Sequence, residues 1–152
     1  MNLSEVVNRL EHESAVRRTV VTLNRAFDDE DWETVSSSLG ADFTGTATVQ
    51  FGQQATIPGA DLMLKVMKDI ANQRKVAGIK TMHVLGEVLV TVNGEQAEAF
   101  VFQTAYLYRA AAISTPSSKS GTRGTYRLRQ ESGVCKVVAL DLDRVWLEGE
   151  PY

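Results

Sequence analysis

Val84-Leu85-Gly86-Glu87-Val88-Leu89-Val90-Thr91-Val92-Asn93-Gly94-Glu95-Gln96-Ala97-Glu98-Ala99-Phe100-Val101-Phe102-Gln103-Thr104-Ala105-Tyr106-Leu107-Tyr108 is the stretch that decides the fold. β-branched and aromatic residues run on both sides of Asn93-Gly94, a pair that strongly favours a hairpin turn. The reading is two long antiparallel strands, over 84–92 and 96–108. On the second, Phe100, Phe102, Thr104, Tyr106 and Tyr108 share one face, and Ala99, Val101, Gln103, Ala105 and Leu107 share the other. Both rows are mostly apolar, so neither is simply solvent-facing. One is expected to meet helices. The other is expected to meet a second subunit, making a homodimer or higher homo-oligomer through the sheet.

Outward from the hairpin, 122–130 reads as a third strand, Glu131-Ser132-Gly133 as a tight turn and 134–146 as a fourth strand, after a Ser/Pro-rich loop over 114–121. Upstream the period changes to helical. Leu3, Val6, Val7 and Leu10, then Val16, Val20, Leu23 and Phe27, predict one helix, or a short helix leading into a longer one capped at Ser14, ending near Phe27-Asp28. After the acidic link 28–31, Trp32, Val35 and Leu39 mark a short helix with Asp31 as N-cap and Gly40 at its end. Residues 43–49, rich in Thr, read as a strand. Pro58-Gly59 opens a third helix whose Leu62, Val66, Met67 and Ile70 share a face, and Gly78 stops it. Helices followed by a meander give an α+β protein: a cone-shaped, curved antiparallel sheet wrapped around N-terminal helices, one domain over 1–152. The open end of such a cone is a natural small-molecule site.

Composition narrows the function. In 152 residues, 43% are hydrophobic and 23% charged, which suits a globular chain, and the net charge is −3. No Lys/Arg cluster is present to neutralise phosphates, so a nucleic-acid partner is not expected. The pairs Arg17-Arg18 and Arg74-Lys75 read as solvated helix faces. Cys135 is the single cysteine, which excludes an internal disulfide and a thiolate metal site, and no metal or cofactor is expected. The polar start Met1-Asn2-Leu3-Ser4-Glu5 and the lack of a long apolar run imply no membrane partner and a cytoplasmic location.

Of two histidines, His12 lies in a charged stretch that reads as solvated. His83, in Thr81-Met82-His83-Val84-Leu85-Gly86, lies among strand residues. There it is either a core residue or the proton-transfer group of a pocket, since imidazole alone ionises near neutrality without perturbation. Asp28 has a matching pair of readings. A solvated carboxylate at a helix C-terminus is opposed by the macrodipole, so a partner should compensate it. Asp141 and Asp143 share a strand face, either an exposed edge or a pocket acid.

The chain resembles the SnoaL-like branch of the nuclear-transport-factor-like superfamily, in its scytalone dehydratase and lindane dehydrochlorinase type. The matching segments are Arg25-Ala26-Phe27-Asp28-Asp29-Glu30-Asp31-Trp32, Leu39-Gly40-Ala41-Asp42-Phe43, Pro58-Gly59, the His83 strand, Gly133-Val134-Cys135-Lys136-Val137-Val138 and Asp143-Arg144-Val145-Trp146. The resemblance implies a lyase or isomerase working without a cofactor on a small apolar, perhaps cyclic, polyketide- or steroid-like molecule. His83 would be the base and Asp28 its orienting carboxylate. The pattern departs from scytalone dehydratase: Phe27 stands where that enzyme has a tyrosine, Tyr106 and Tyr108 lie where it has a second histidine, and Thr122 and Gly124 lie near its serine and asparagine. Phe27, Tyr106, Tyr108 and Arg123 are therefore the candidate substrate contacts. A non-catalytic ligand-binding or assembly module of the same fold is the alternative. A third reading, the small subunit of an aromatic-ring dioxygenase, shares the fold.

Overall fold

Helix α1 (Leu3–Asp28) runs unbroken for 26 residues in the computed structural model, which describes residues 2–48, 53–109, 111 and 116–149. It starts at Asn2, not Ser14. The Asn2 side chain accepts the Glu5 N–H at 2.9 Å and the Glu5 carboxylate accepts the Asn2 N–H at 2.8 Å, a reciprocal box that satisfies two orphan donors. No glycine or proline interrupts 3–28, so nothing local splits the helix. Val16, Val20, Leu23 and Ala26 form its buried stripe, and Leu3, Val7 and Leu10 stay exposed.

His12 corrects the sequence expectation. Its charged neighbours suggested a solvated side chain, yet it is 7% exposed, and its Nε2 is buried without a hydrogen-bond partner among the described residues. The spacing 12, 16, 20 places it on the buried stripe whatever flanks it in sequence. A buried polar atom left unpaired costs roughly 1–3 kcal/mol. His12→Leu is therefore expected to raise stability by about 1 kcal/mol, which in a domain of this size raises the melting temperature by roughly 2–4 °C. A lower melting temperature by calorimetry would show that the ring is better accommodated than the unpaired nitrogen implies.

A left-handed Glu30 (φ 56°) turns the chain into α2 (Trp32–Ser38), where Asp31 caps as expected by accepting the Thr34 N–H at 3.1 Å. The strands are β1 (Leu39–Thr48), β2 (Gln54–Pro58), β3 (Ile79–Asn93), β4 (Gln96–Arg109), β5 (Ser118–Glu131) and β6 (Val134–Gly149), and α3 (Ala60–Val76) lies between β2 and β3. Both expected turns are present. Asn93 pairs with Gln96 across Gly94-Glu95, and Glu131 pairs with Val134 across Ser132-Gly133. Gly94, Ser132 and Gly133 all have positive φ, which suits the twist of tight hairpins. Gly78, at φ 69°, ends α3 as expected.

The sheet order is β2-β1-β6-β5-β4-β3. It is mixed rather than wholly antiparallel, because β1 pairs with β6 in parallel, Gly45 opposite Leu140. Strand β2 was not among the strands expected, although Gln54, Ala55, Thr56 and Ile57 alternate polar and apolar. Of the loop expected over 114–121, residues 118–121 belong to β5, while 112–115 lie outside the described residues, as does Val49 at the end of the strand expected over 43–49. Register shifts interrupt three pairings, between Leu85 and Val88 on β3, between Gly121 and Thr122 and between Arg127 and Leu128 on β5, and between Leu39 and Thr44 on β1. Such irregularities bend strands, and the sheet curves without closing. Helix α1 packs across β3, β4 and β6, and α3 over β1, β2 and β3. The core joins the α1 stripe to Val35, Phe43, Val88, Ala99, Val101, Leu128, Val137 and Leu140. On the outer sheet face Met82, Val84, Leu89 and Phe102 remain about half exposed. No helix among the described residues is long and apolar enough to cross a membrane.

Candidate active site

Alternation along β3 sends Thr81, His83 and Leu85 to the concave face and Lys80, Met82 and Val84 to the convex face. Opposite His83 in register stands Ala105, whose small side chain leaves room for a ring. Asp28 is the last residue of α1, one turn beyond the buried Asn24, so it points to the same side. The two groups meet across 55 residues of sequence. The imidazole Nδ1 lies 2.6 Å from Asp28 Oδ1, and the His83 backbone N–H donates to Oδ2, also at 2.6 Å. Their side chains are 13% and 15% exposed.

This arrangement settles two local problems. Strand β3 is an edge strand, and Asp28 pairs one of the N–H groups that an edge leaves open. The carboxylate at the helix C-terminus, opposed by the macrodipole, receives two donors in compensation. An ionised carboxylate only accepts, so Nδ1 carries a proton, and in the neutral ring Nε2 then keeps its lone pair. Phe27, one residue before Asp28, lies with its ring centroid 5.6 Å from that of His83 and 6.1 Å from that of Trp32.

His83, Phe27, Asn24, Arg74 and Ile79 stand at the junction of two spaces. One is a cavity of about 530 Å³ between α3 and the concave face, within the usual range for small-molecule sites. Its walls are largely apolar, with Ile57, Met67, Ile70, Leu107 and Leu142 among them. The other is a wider, more open cleft of about 1200 Å³ along the β3 edge, which includes Asp28, Lys80 and Tyr108.

The expected contacts therefore divide. Phe27 joins the dyad, and Tyr108 reaches the outer cleft. Tyr106 and Arg123 are not brought to the cavity: both belong to the convex row of the sheet, where the Arg123 guanidinium carbon lies 5.9 Å from the Phe102 ring centroid. Asp141 is on that face too, taking the Thr46 hydroxyl and facing Arg127 at 3.4 Å, so it points away from the cavity, but β6 is an interior strand and the residue is half-buried rather than at an exposed edge.

The sequence reading missed the polar floor and the cations of the cavity. Asn24 Nδ2 donates to the Tyr126 hydroxyl at 3.0 Å, and that hydroxyl donates to Gln103 Oε1 at 3.4 Å. Gln103 had left a signal, as the one long polar side chain in an otherwise apolar row. Arg74 corrects the reading of Arg74-Lys75 as a solvated pair. It extends the Met63, Met67, Ile70 stripe of α3 into the cavity, and its Nη1 donates to Thr81 Oγ1 at 2.8 Å, while Lys75 remains exposed. Burial, followed by the charge of Arg144, holds the Arg74 guanidinium below its ordinary pKa, and Asp28 opposes that shift. Among the described residues no group of three or more His, Cys, Asp or Glu side chains is placed to hold a metal ion.

Burial pushes the Tyr126 phenol from 10.0 up to about 12, with the Asn24 hydrogen bond partly opposing the rise. The unfolded chain then loses this proton first. The stabilisation is complete below the ordinary phenol pKa and is lost as pH rises through the folded one. Unfolding free energy should fall between pH 10 and 12 by on the order of 3 kcal/mol from this group. Tyr126→Phe should remove that alkaline limb. If chemical denaturation across this range gives the same slope for both proteins, the assignment is wrong.

The sequence profile of the SnoaL-like domain matches residues 8–141. The chain belongs to the SnoaL-like domain family. Among curated proteins none matches its sequence significantly. Solved structures match this SnoaL-like chain over most of its length. An NTF2-like protein with a cystatin-like fold from Novosphingobium aromaticivorans is 22% identical, covering 95% of this chain and 88% of its own, with a TM-score of 0.78. A candidate scytalone dehydratase from the same organism is 14% identical, covers 97% and 93%, and has a TM-score of 0.77. The β subunit of the benzoate 1,2-dioxygenase from Burkholderia mallei is 16% identical, covers 85% and 87%, and has a TM-score of 0.69. At these identities the likeness is one of fold, and the expected superfamily and cone architecture are the ones found.

Proposed function

We propose that this SnoaL-like protein is a lyase or isomerase that, without a cofactor, removes a proton from a small, largely apolar molecule. The observation that carries the reading is the double grip of Asp28 on the ring and backbone of His83 at 2.6 Å each, where a cavity opens. In the proposed step Nε2 takes the proton of a C–H next to an electron-withdrawing group. The electron pair left on carbon then either expels a leaving group or forms a shifted double bond that is reprotonated elsewhere. Asp28 remains a carboxylate throughout, holding the Nδ1–H and stabilising the imidazolium. The apolar walls keep water from the imidazolium–carbanion pair.

The first step leaves a trace that needs no knowledge of the final product. Cyclic ketones and β-hydroxyketones incubated with the protein in D₂O should exchange the acidic proton, read by loss of its ¹H NMR signal. His83→Gln serves as background. If members of the panel bind and none exchanges faster than with His83→Gln, the protein is a binding module and the reading fails.

A further inference from the structure

Gln103 lines the cavity from β4 and is only 7% exposed. Its orientation follows from a chain of hydrogen bonds that runs in one direction. A backbone carbonyl can only accept, so the Val20 carbonyl, at 2.9 Å, fixes the NH₂ side of the Asn24 amide. The second hydrogen of that NH₂ goes to the Tyr126 hydroxyl oxygen at 3.0 Å. The phenol hydrogen is then directed at Gln103 Oε1, at 3.4 Å. With the Gln103 amide turned the other way, that buried hydrogen would face an NH₂ group and have no acceptor. Gln103 Nε2 is thereby the open end of the chain, with no acceptor among the described residues. Nor is it sealed inside the protein, since among the described side chains only His12 has a fully buried polar atom without a partner. A buried donor that faces a cavity calls for an acceptor from whatever occupies the cavity.

We infer that the molecule bound in this cavity is a ketone whose carbonyl oxygen accepts a hydrogen bond from Gln103 Nε2, with the acidic C–H on the adjacent carbon facing His83. The inference rests on the cavity being the substrate site, and it deepens that reading by naming the electron-withdrawing group and the residue that holds it. On the β3–β4 pair His83 stands opposite Ala105 and Leu85 opposite Gln103, so Gln103 is the diagonal neighbour of His83 on the concave face. Such neighbours are roughly 7–8 Å apart, a gap that two long side chains and a carbonyl with its α-carbon can bridge. As His83 Nε2 takes the α-proton, the C–H electron pair forms the enolate C=C and the carbonyl π pair moves onto oxygen. There the Gln103 N–H stabilises the new charge. On collapse of the enolate the C=O re-forms, and the pair either expels a leaving group from the β-carbon or takes a proton at carbon. The amide is neutral, and the aligned Asn24 and Tyr126 groups behind it polarise it toward the oxygen.

The test uses 2-tetralone, 4-chromanone and 2-methylcyclohexanone, each with ¹³C at the carbonyl. Isotope-edited infrared spectra report a hydrogen bond to the bound oxygen as a lowered C=O stretch. With wild-type protein and millimolar ketone, at least one member should show a stretch below its value in hexane. Gln103→Met keeps the length of the side chain without its donor, and should return the stretch toward that value. Ketone affinity should fall only about two- to tenfold in this variant, the size of one neutral hydrogen bond. Exchange of the α-proton in D₂O should fall roughly 10²- to 10³-fold, as on loss of an oxyanion donor. A residue that only packs the floor would change stability and leave the carbonyl frequency alone. Tyr126→Phe removes the hydroxyl that holds Oε1, so it should give an intermediate stretch and exchange rate, and wild-type values there would overturn the orienting chain. Circular dichroism checks that each variant is folded. No ketone with a lowered stretch, or a lowered stretch that survives in Gln103→Met, overturns the inference. The proton-abstraction reading fails separately. If the stretch is lowered through Gln103 but wild-type protein exchanges no proton, the base is misassigned and the carbonyl site stands. If Gln103→Met exchanges protons at the wild-type rate, the base stands and the carbonyl site falls.

Discussion

His83→Gln is expected to lower turnover by roughly 10²- to 10⁴-fold, the usual contribution of a positioned general base. Glutamine approximates the reach of the ring and has an amide N–H to offer Asp28, and the backbone N–H of residue 83 still donates to the carboxylate. The substitution removes the basic lone pair and little else. Stability should therefore stay within about 1 kcal/mol of wild type, since one charge-assisted bond is replaced rather than lost. Proton exchange and product formation should fall together, with KM much less affected, because the lost interaction develops in the transition state. Full exchange activity in a folded His83→Gln protein would place the base elsewhere.

Asp28→Asn is the more specific experiment. An amide offers one acceptor and one pair of donors, whereas the carboxylate accepts two N–H groups at 2.6 Å. If the amide oxygen faces the backbone N–H, its NH₂ faces Nδ1, and the ring is driven to the tautomer with the proton on Nε2. That nitrogen can then no longer take a proton. A histidine held in the wrong tautomer loses roughly 10⁴-fold in rate where a carboxylate–imidazole pair has been treated this way. If the amide turns the other way, its NH₂ opposes the edge-strand N–H and leaves it unpaired, at a cost of about 1–3 kcal/mol. Long-range ¹H–¹⁵N spectra distinguish the two tautomers of His83. Wild type should show the proton on Nδ1, and Asp28→Asn should shift it toward Nε2 with loss of turnover. An unchanged tautomer together with unchanged exchange would mean that Asp28 is a strand-edge cap without a part in proton transfer.

The elements were legible where the local signal was strong. Period-two alternation in 84–108, Gly94 and Gly133 at the turns, Gly78 after α3 and Asp31 before α2 each act over a few residues, and each is found in place. The dyad residues were legible one at a time, His83 as an imidazole among strand residues and Asp28 as a carboxylate that needed a partner. Arg74 was misread because sequence adjacency to Lys75 suggested a charged face, whereas its helical neighbours are Met67 and Ile70. His12 was misread for the same reason: its charged sequence neighbours suggested solvent, whereas its helical neighbours are Val16 and Val20. Tyr106 and Arg123 were assigned to the site because a strand that is apolar on both faces has no label for inside.

The pairing of Asp28 with His83 was implied by the family resemblance, and the sequence by itself determined the helices-then-meander order, the turns and the absence of a phosphate-binding basic cluster. These follow from local periodicity, turn chemistry and composition, which act within a few residues of chain. Tertiary structure alone decided which face of β3 and β4 became concave, that β1 lies parallel to β6, and that Arg74 and Arg144 share one cavity with His83. Those outcomes depend on the curvature set by register shifts in several strands, and on residues brought together from positions far apart in the chain, as Asn24 and Tyr126 are across 102 residues, for which no local pattern exists.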